Sequence, residues 1–222
     1  ERPMTEADLA AILAQVNPTG QPRLRVTASR FLDGIPVGPW PYVGVRKDDP
    51  NDRYSHTHRR ELRGLYVITA WLNNADMKEE NTLDVYEPER RYLRHYLIDF
   101  GASLGSNSRA ASVPRRGQAN GFDLKQSMVH MITLGFYTYP WERASPEVRY
   151  PSVGYLNNNL FNPNSWKPIY PAPPFENLTK RDAFWGAKIV TSFTDVQIEA
   201  AVAEGAYTDT DAAASLVQWL KA

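Results

Sequence analysis

Asn73-Asn74-Ala75-Asp76-Met77-Lys78-Glu79-Glu80-Asn81 and, shortly after it, Leu97-Ile98-Asp99-Phe100-Gly101 are the two stretches that decide the reading of this chain. Together they spell D-x-K-x-x-N followed by I-D-F-G. The order supplies an acid, a cation two residues on, an amide at plus five and a second acid just before Phe-Gly. Metal-assisted chemistry on a triphosphate needs those parts: oxygen ligands for hard cations, and an acid beside the group that moves.

Each residue has a role in that scheme. Asp99 is expected to hold a magnesium ion, and Asn81 to offer a neutral amide oxygen to a second one. Asp76 orients the attacking hydroxyl and accepts its proton. Lys78 reaches the transferred phosphoryl group as a point charge. Gly101 lets the chain turn after the metal ligand. The same residues also make good turns, since Asn and Asp are common where a helix meets a strand. A pair of carboxylates, Asp76 and Asp99, also suits sugar hydrolysis, but there the Asn at plus five and the Phe-Gly have no role.

The flanking sequence builds a frame for the two loops. Leu62, Leu65, Ile68, Thr69 and Leu72 recur at helical spacing over 61 to 73, with Tyr66 and Trp71 beside them, and deliver the chain into Asn73. Residues 82 to 86 and 92 to 98 read as two short strands around Glu87-Pro88-Glu89-Arg90, a hairpin that separates the loops.

Upstream, Thr5-Glu6-Ala7-Asp8 is a capping-box-like start for a helix with Leu9, Ile12, Leu13 and Val16, stopped by Asn17-Pro18-Thr19-Gly20. A strand is expected over 23 to 32, and an edge strand over 37 to 45, interrupted by Pro39 and Pro41. Residues 46 to 60 form a charged loop. It reads as a solvated connection, or as a phosphate site lined by Arg46, His56, His58, Arg59 or Arg60. His56 and His58 lack a third ligand at metal-site spacing.

Downstream, residues 102 to 123 read as a long loop with a basic cluster of Arg109, Arg115 and Arg116. A helix is expected over 125 to 134, with Met128, Met131, Ile132 and Leu134 as its apolar positions. Residues 137 to 179 hold eight of the 17 prolines and many aromatic rings. So long an irregular stretch is unusual in a compact domain, yet it is too aromatic for a plain linker. It is expected to lie pinned across the surface by its rings, or to contact a partner protein through 137 to 175. The tail is helical, with Ala183, Phe184, Ala187, Ile189, Val190 and Phe193 near one face. Thr194-Asp195-Val196-Gln197 is a capping box, Gly205 a stop, and Thr208-Asp209-Thr210-Asp211 a cap for the last helix. Asn177-Leu178-Thr179 is a glycosylation sequon by spelling only.

Composition sets the outer limits. At 222 residues, 42% hydrophobic and 23% charged, the chain can bury a sizeable core. Lys+Arg balance Asp+Glu at 25 each, so there is no overall field to attract nucleic acid. No apolar run is long enough for a membrane span. With no cysteine, disulfides and thiolate chemistry are excluded, and neither redox compartment is favoured. The fold class expected is α+β, mainly helical.

At Asp76, Lys78, Asn81 and Asp99 the chain resembles the catalytic and metal-binding loops of phosphoinositide kinases, whose first loop is typically D-R-H-x-x-N. It is similar as well to atypical kinases such as the HipA-like ones. The resemblance covers about residues 60 to 105 and implies a kinase-type carboxy-terminal lobe (56 to 222) with a β-hairpin at the site, using ATP and Mg2+. Asp76 and Lys78 take the catalytic positions, Asn81 and Asp99 the metal positions, and Asn81, Asp99 and Gly101 the nucleotide side. Lys78 replaces the usual His. The Pro-rich stretch and Asp182-Ala183-Phe184-Trp185 also look like a family of uncharacterised bacterial proteins often made with an export signal, which implies a periplasmic or extracellular place. A kinase also needs an amino-terminal lobe with a strand-borne Lys. Lys47 is the sole lysine before Lys78, and no glycine-rich loop precedes the site. Residues 1 to 55 are therefore expected to be a stub of that lobe or its hinge. Its remainder would be a partner chain or a missing piece, and without it the lobe would be inactive or act as a pseudokinase-like assembly subunit.

Overall fold

The computed structural model describes residues 2–16, 31–108 and 110–222. They fall into two compact units, Glu1–Asp33 and Gly34–Ala222. In the first, helix α1 (Glu6–Val16) starts as expected: Thr5 Oγ1 accepts from the Asp8 N–H, and the Asp8 carboxylate accepts from the Thr5 N–H. Residues 23 to 30 of the expected first strand, and the stop after α1, lie outside the described residues.

The second unit is α+β. Its sheet is antiparallel, in the order β1 (Ile35–Gly38), β2 (Thr82–Glu87), β3 (Tyr92–Leu97). The hairpin is in register from Thr82 opposite Leu97 to Glu87 opposite Tyr92. β1 is shorter than the expected edge strand. Pro39 and Pro41 have no N–H to give a ladder. Side chains take over instead: the Trp40 N–H donates to Thr82 Oγ1 at 2.7 Å and the Tyr42 N–H to Glu79 Oε1 at 2.7 Å.

Helix α2 (Arg60–Trp71) buries Leu62, Leu65 and Thr69, the face its periodicity marks. It packs on α5 (Lys180–Val190) through glycines. A Cβ on Gly64 would collide with the Trp185 ring, and one on Gly186 with the Gly64 carbonyl. The buried positions of α5 are Asp182 and Gly186, whereas Phe184, expected on the packed face, is exposed. A capping box between Thr179 and Asp182 starts α5, and Arg63 on α2 pairs with that same Asp182.

Two tiny strands, β4 (Ser106–Asn107) and β5 (Ala110–Ala111), interrupt the loop after the site. Helix α3 (Leu124–Ile132) forms as expected, N-capped by Asp123, but has no buried residue: Met128, Met131 and Ile132 are exposed. The Pro-rich stretch holds little regular structure beyond α4 (Pro173–Glu176). Its rings do pin it down. Trp166 and Phe175 enter the core beside Leu62, Leu65 and Met77, and Tyr66 Oη donates to the Pro163 and Trp166 carbonyls. Helices α6 (Asp195–Glu204) and α7 (Thr210–Lys221) start at the caps expected, Thr194 and Asp209. They close a second small core around Val153, Val202 and Leu216. After α6, Gly205 stays right-handed, and the left-handed residue is Ala206 (φ 45°).

The charged segment 46 to 60 is largely solvent-facing, as a connection would be, but two of its residues anchor it. Arg46 is buried, and its guanidinium donates to Asp48, to Asp84 and to the Val37 and Pro39 carbonyls. His56 is buried too, held between Asp52 Oδ2 (2.6 Å) and the Pro41 carbonyl. Both of its ring nitrogens face groups that accept when ionised or carbonyl, so neither is left to bind a metal. Burial disfavours the Asp52 carboxylate, but hydrogen bonds from the Arg46 N–H, His56 and Arg59 outweigh it and hold the acid below its ordinary value. No helix is long and apolar enough to cross a membrane among the described residues.

Candidate functional site

The first loop leaves α2 through Asn73, which adopts φ 45°, a conformation Asn tolerates better than most residues. Two neighbours fix it there. Trp166 Nε1 donates to Asn73 Oδ1 at 2.9 Å, and the Ile169 N–H donates to the Ala75 carbonyl at 2.7 Å. The aromatic stretch is thus the floor on which the Asp76 loop rests. Met77 and Ala75 point into the core, which turns Asp76 and Lys78 outward.

Asp76, Lys78 and Asn81 come together. Asn81 Nδ2 donates to the Asp76 carbonyl at 2.6 Å and lies 3.2 Å from Asp76 Oδ2. Lys78 Nζ stands 3.5 Å from the same carboxylate oxygen and over the Tyr170 ring, 5.7 Å from its centroid. Asn81 is buried, yet its Oδ1 takes no hydrogen bond among the described residues.

The hairpin returns the second loop to the first. The Ile98 N–H donates to the Asn81 carbonyl at 3.0 Å, so Asp99 follows directly on the residue bonded to Asn81. Asp99 is exposed and adopts φ 55°. Asp, like Asn, tolerates this left-handed conformation better than most residues. Its Oδ1 accepts from the Gly101 N–H at 3.2 Å. The left-handed turn thus lies at Asp99 and not at Gly101, contrary to the sequence expectation. Gly101 leaves space instead: a Cβ there would sit 2.8 Å from Ser108 Oγ and 3.2 Å from Asp99 Oδ1, so those side chains would have to shift to admit one.

Arg116 belongs to the same neighbourhood. Its Nη2 donates to Asn107 Oδ1 at 2.9 Å, while its Nε is buried without a partner among the described residues. Burial pushes the guanidinium below its usual value, against the opposing negative charge of Asp76. Sequence reading marked the basic cluster but not its nearness to Asp76. Of that cluster, Arg109 lies outside the described residues, and Arg115 is bonded to the Asn120 and Gly121 carbonyls.

The arrangement offers two oxygen donors, Asp99 and Asn81, on adjoining strand ends, an acid one hydrogen bond away, and cations at Lys78 and Arg116. Among the described residues no three His, Cys, Asp or Glu side chains gather into a metal cage. A hard cation here would complete its shell with water and ligand oxygens, which suits the small, reluctantly dehydrated magnesium ion better than calcium. In comparison with known proteins, the chain matches no family model, no curated protein and no solved structure.

Proposed function

We propose that this chain carries the kinase-type carboxy-terminal lobe of an ATP- and magnesium-dependent phosphotransferase, completed by an amino-terminal lobe that brings the phosphate-binding lysine. The observation that carries the reading is Asn81. Its amide is locked onto Asp76 through Nδ2, which leaves Oδ1 without a hydrogen bond among the described residues, while its carbonyl takes the N–H of Ile98, the neighbour of Asp99. In that reading Asp99 and Asn81 hold the metal and Asp76 accepts the proton of the attacking hydroxyl. Lys78, by its charge next to Asp76, meets the phosphoryl group. The bound magnesium would neutralise charge on the phosphate oxygens.

A pseudokinase-like assembly role has one observation in its favour, the unburied apolar face of α3 and the residues around it, including Phe122, Leu134 and Phe136. Trp166 speaks against the stretch 137 to 175 as a whole being that interface, because its ring is spent inside the chain. Calorimetric titration of ATP into the protein with and without magnesium tests the first reading. Binding should require magnesium and weaken at least tenfold in Asp99→Ala. Magnesium-independent binding, or equal affinity in the variant, refutes it.

A further inference from the structure

A cavity of about 810 Å3 opens on the side of the hairpin that carries Asp84, Tyr86, Leu93 and His95, walled on its other side by the segment 46 to 61. It shares no lining residue with the Asp76 site, and its size is that of a small-molecule pocket. Most of its charges are already spent. All five Arg46 N–H groups are donated to Asp48, Asp84 and two carbonyls. Asp52 is taken by His56, Arg59 and the Arg46 N–H.

The Arg91 guanidinium, one ring nitrogen of His95, and the Asp49 and Glu61 carboxylates, which can accept from hydroxyls, have no ion pair among the described residues. Asp84 is fully buried and stands directly across the ladder from His95. Its Oδ1 lies 2.5 Å from His95 Nδ1 and its Oδ2 takes Arg46. The imidazole stacks on Trp40 at 3.9 Å with the rings 12° apart, which fixes its plane. In the neutral imidazole a carboxylate on Nδ1 places the proton there and leaves Nε2 as the acceptor. That Nε2 has no partner among the described residues, and the side chain is 40% exposed where it lines the cavity. The Arg91 guanidinium makes no ion pair or hydrogen bond among the described residues; its backbone N–H is held by the Glu87 carbonyl. Arg59 uses only Nη2.

We infer that this cavity is a second binding site, for a small hydroxylated anion such as a polyol phosphate. Arg59 and Arg91 take the anionic group, and His95 Nε2, oriented by Asp84 and Trp40, accepts from a hydroxyl beside it. Exposed Glu61 on the wall offers an acceptor for a further hydroxyl. The site does not depend on the phosphotransfer reading.

The test is titration with glycerol 3-phosphate, inorganic phosphate and glycerol, followed by nitrogen-15 NMR of the histidine rings, with His95 assigned through His95→Gln. Glycerol 3-phosphate should shift the His95 ring signals and bind at least tenfold more tightly than phosphate or glycerol. His95→Gln and Arg91→Gln should each lose at least tenfold in affinity. Arg91 lies on the exposed hairpin turn, so its variant reports binding and not unfolding. Asp99→Ala should bind unchanged, which separates this site from the nucleotide reading. Absence of a shift at His95, equal binding of phosphate alone, or undiminished affinity in Arg91→Gln would overturn the assignment.

Discussion

The backbone N–H of Ile169 donates to the carbonyl of Ala75 at 2.7 Å, one residue before Asp76. Next to it, Trp166 reaches Asn73 from below the loop. The irregular aromatic stretch therefore holds the candidate site in shape. Trp166→Ala should cost about 3–5 kcal/mol of stability, as large-to-small changes of buried aromatics do. Trp166→Phe should cost less and mainly release Asn73, since it removes the indole N–H while keeping most of the ring burial. Urea unfolding curves of the two variants check the order.

Glycine contacts set the approach of α2 to α5. Gly64→Ala would push a methyl into the Trp185 ring of the neighbouring helix and close on the Asp182 carbonyl. Overpacking of this kind costs about 1–3 kcal/mol. A shift in the thermal unfolding midpoint measures it, and Trp185→Leu in the same chain should recover part of the loss.

Among the described residues Arg46 is the sole side chain holding Asp84 on its Oδ2 side. Removing Arg46 leaves the buried carboxylate with His95 alone on its other oxygen, and breaking a buried pair costs up to about 3–5 kcal/mol. Arg46→Met should show that loss in urea unfolding. The double variant Arg46→Met with Asp84→Asn should lose less than Arg46→Met alone.

Acid should weaken the α2–α5 contact. Burial raises the Asp182 carboxyl, but the Thr179 hydrogen bonds and Arg63 outweigh it and hold the acid below its ordinary value of 3.8. An acid depressed in the folded state contributes stability that is present above its unfolded value and lost as pH falls through its folded one. The urea midpoint should therefore drop as pH falls below about 4. Asp182→Asn should start less stable and show a shallower drop over the same window.

Much of this arrangement is legible in the sequence because it is local. Helical spacing in 61 to 73, the alternation of the hairpin and the Thr5, Thr194 and Asp209 caps each depend on residues a few positions apart. The neighbourhood of Asp76, Lys78 and Asn81 is likewise set within one loop. The charge network is not legible. Arg46 finds Asp84 thirty-eight residues away, and the charged spelling of 46 to 60 does not single out Arg46 and His56 as its anchors. The packed face of α5 is hidden for a related reason: its contact is made by Gly64 and Gly186, whereas hydropathy points to Phe184. Gly101 shows a smaller version. It leaves space for Ser108 and Asp99, a tertiary fact that a turn motif does not encode.

The most direct test is phosphoryl transfer from radiolabelled ATP by the protein joined to the amino-terminal lobe that the proposal requires, comparing wild type with Asp76→Asn and Asp99→Ala. The account predicts magnesium-dependent transfer that falls by at least a hundredfold in both variants. Equal transfer in wild type and Asp99→Ala, or none in wild type, would contradict it.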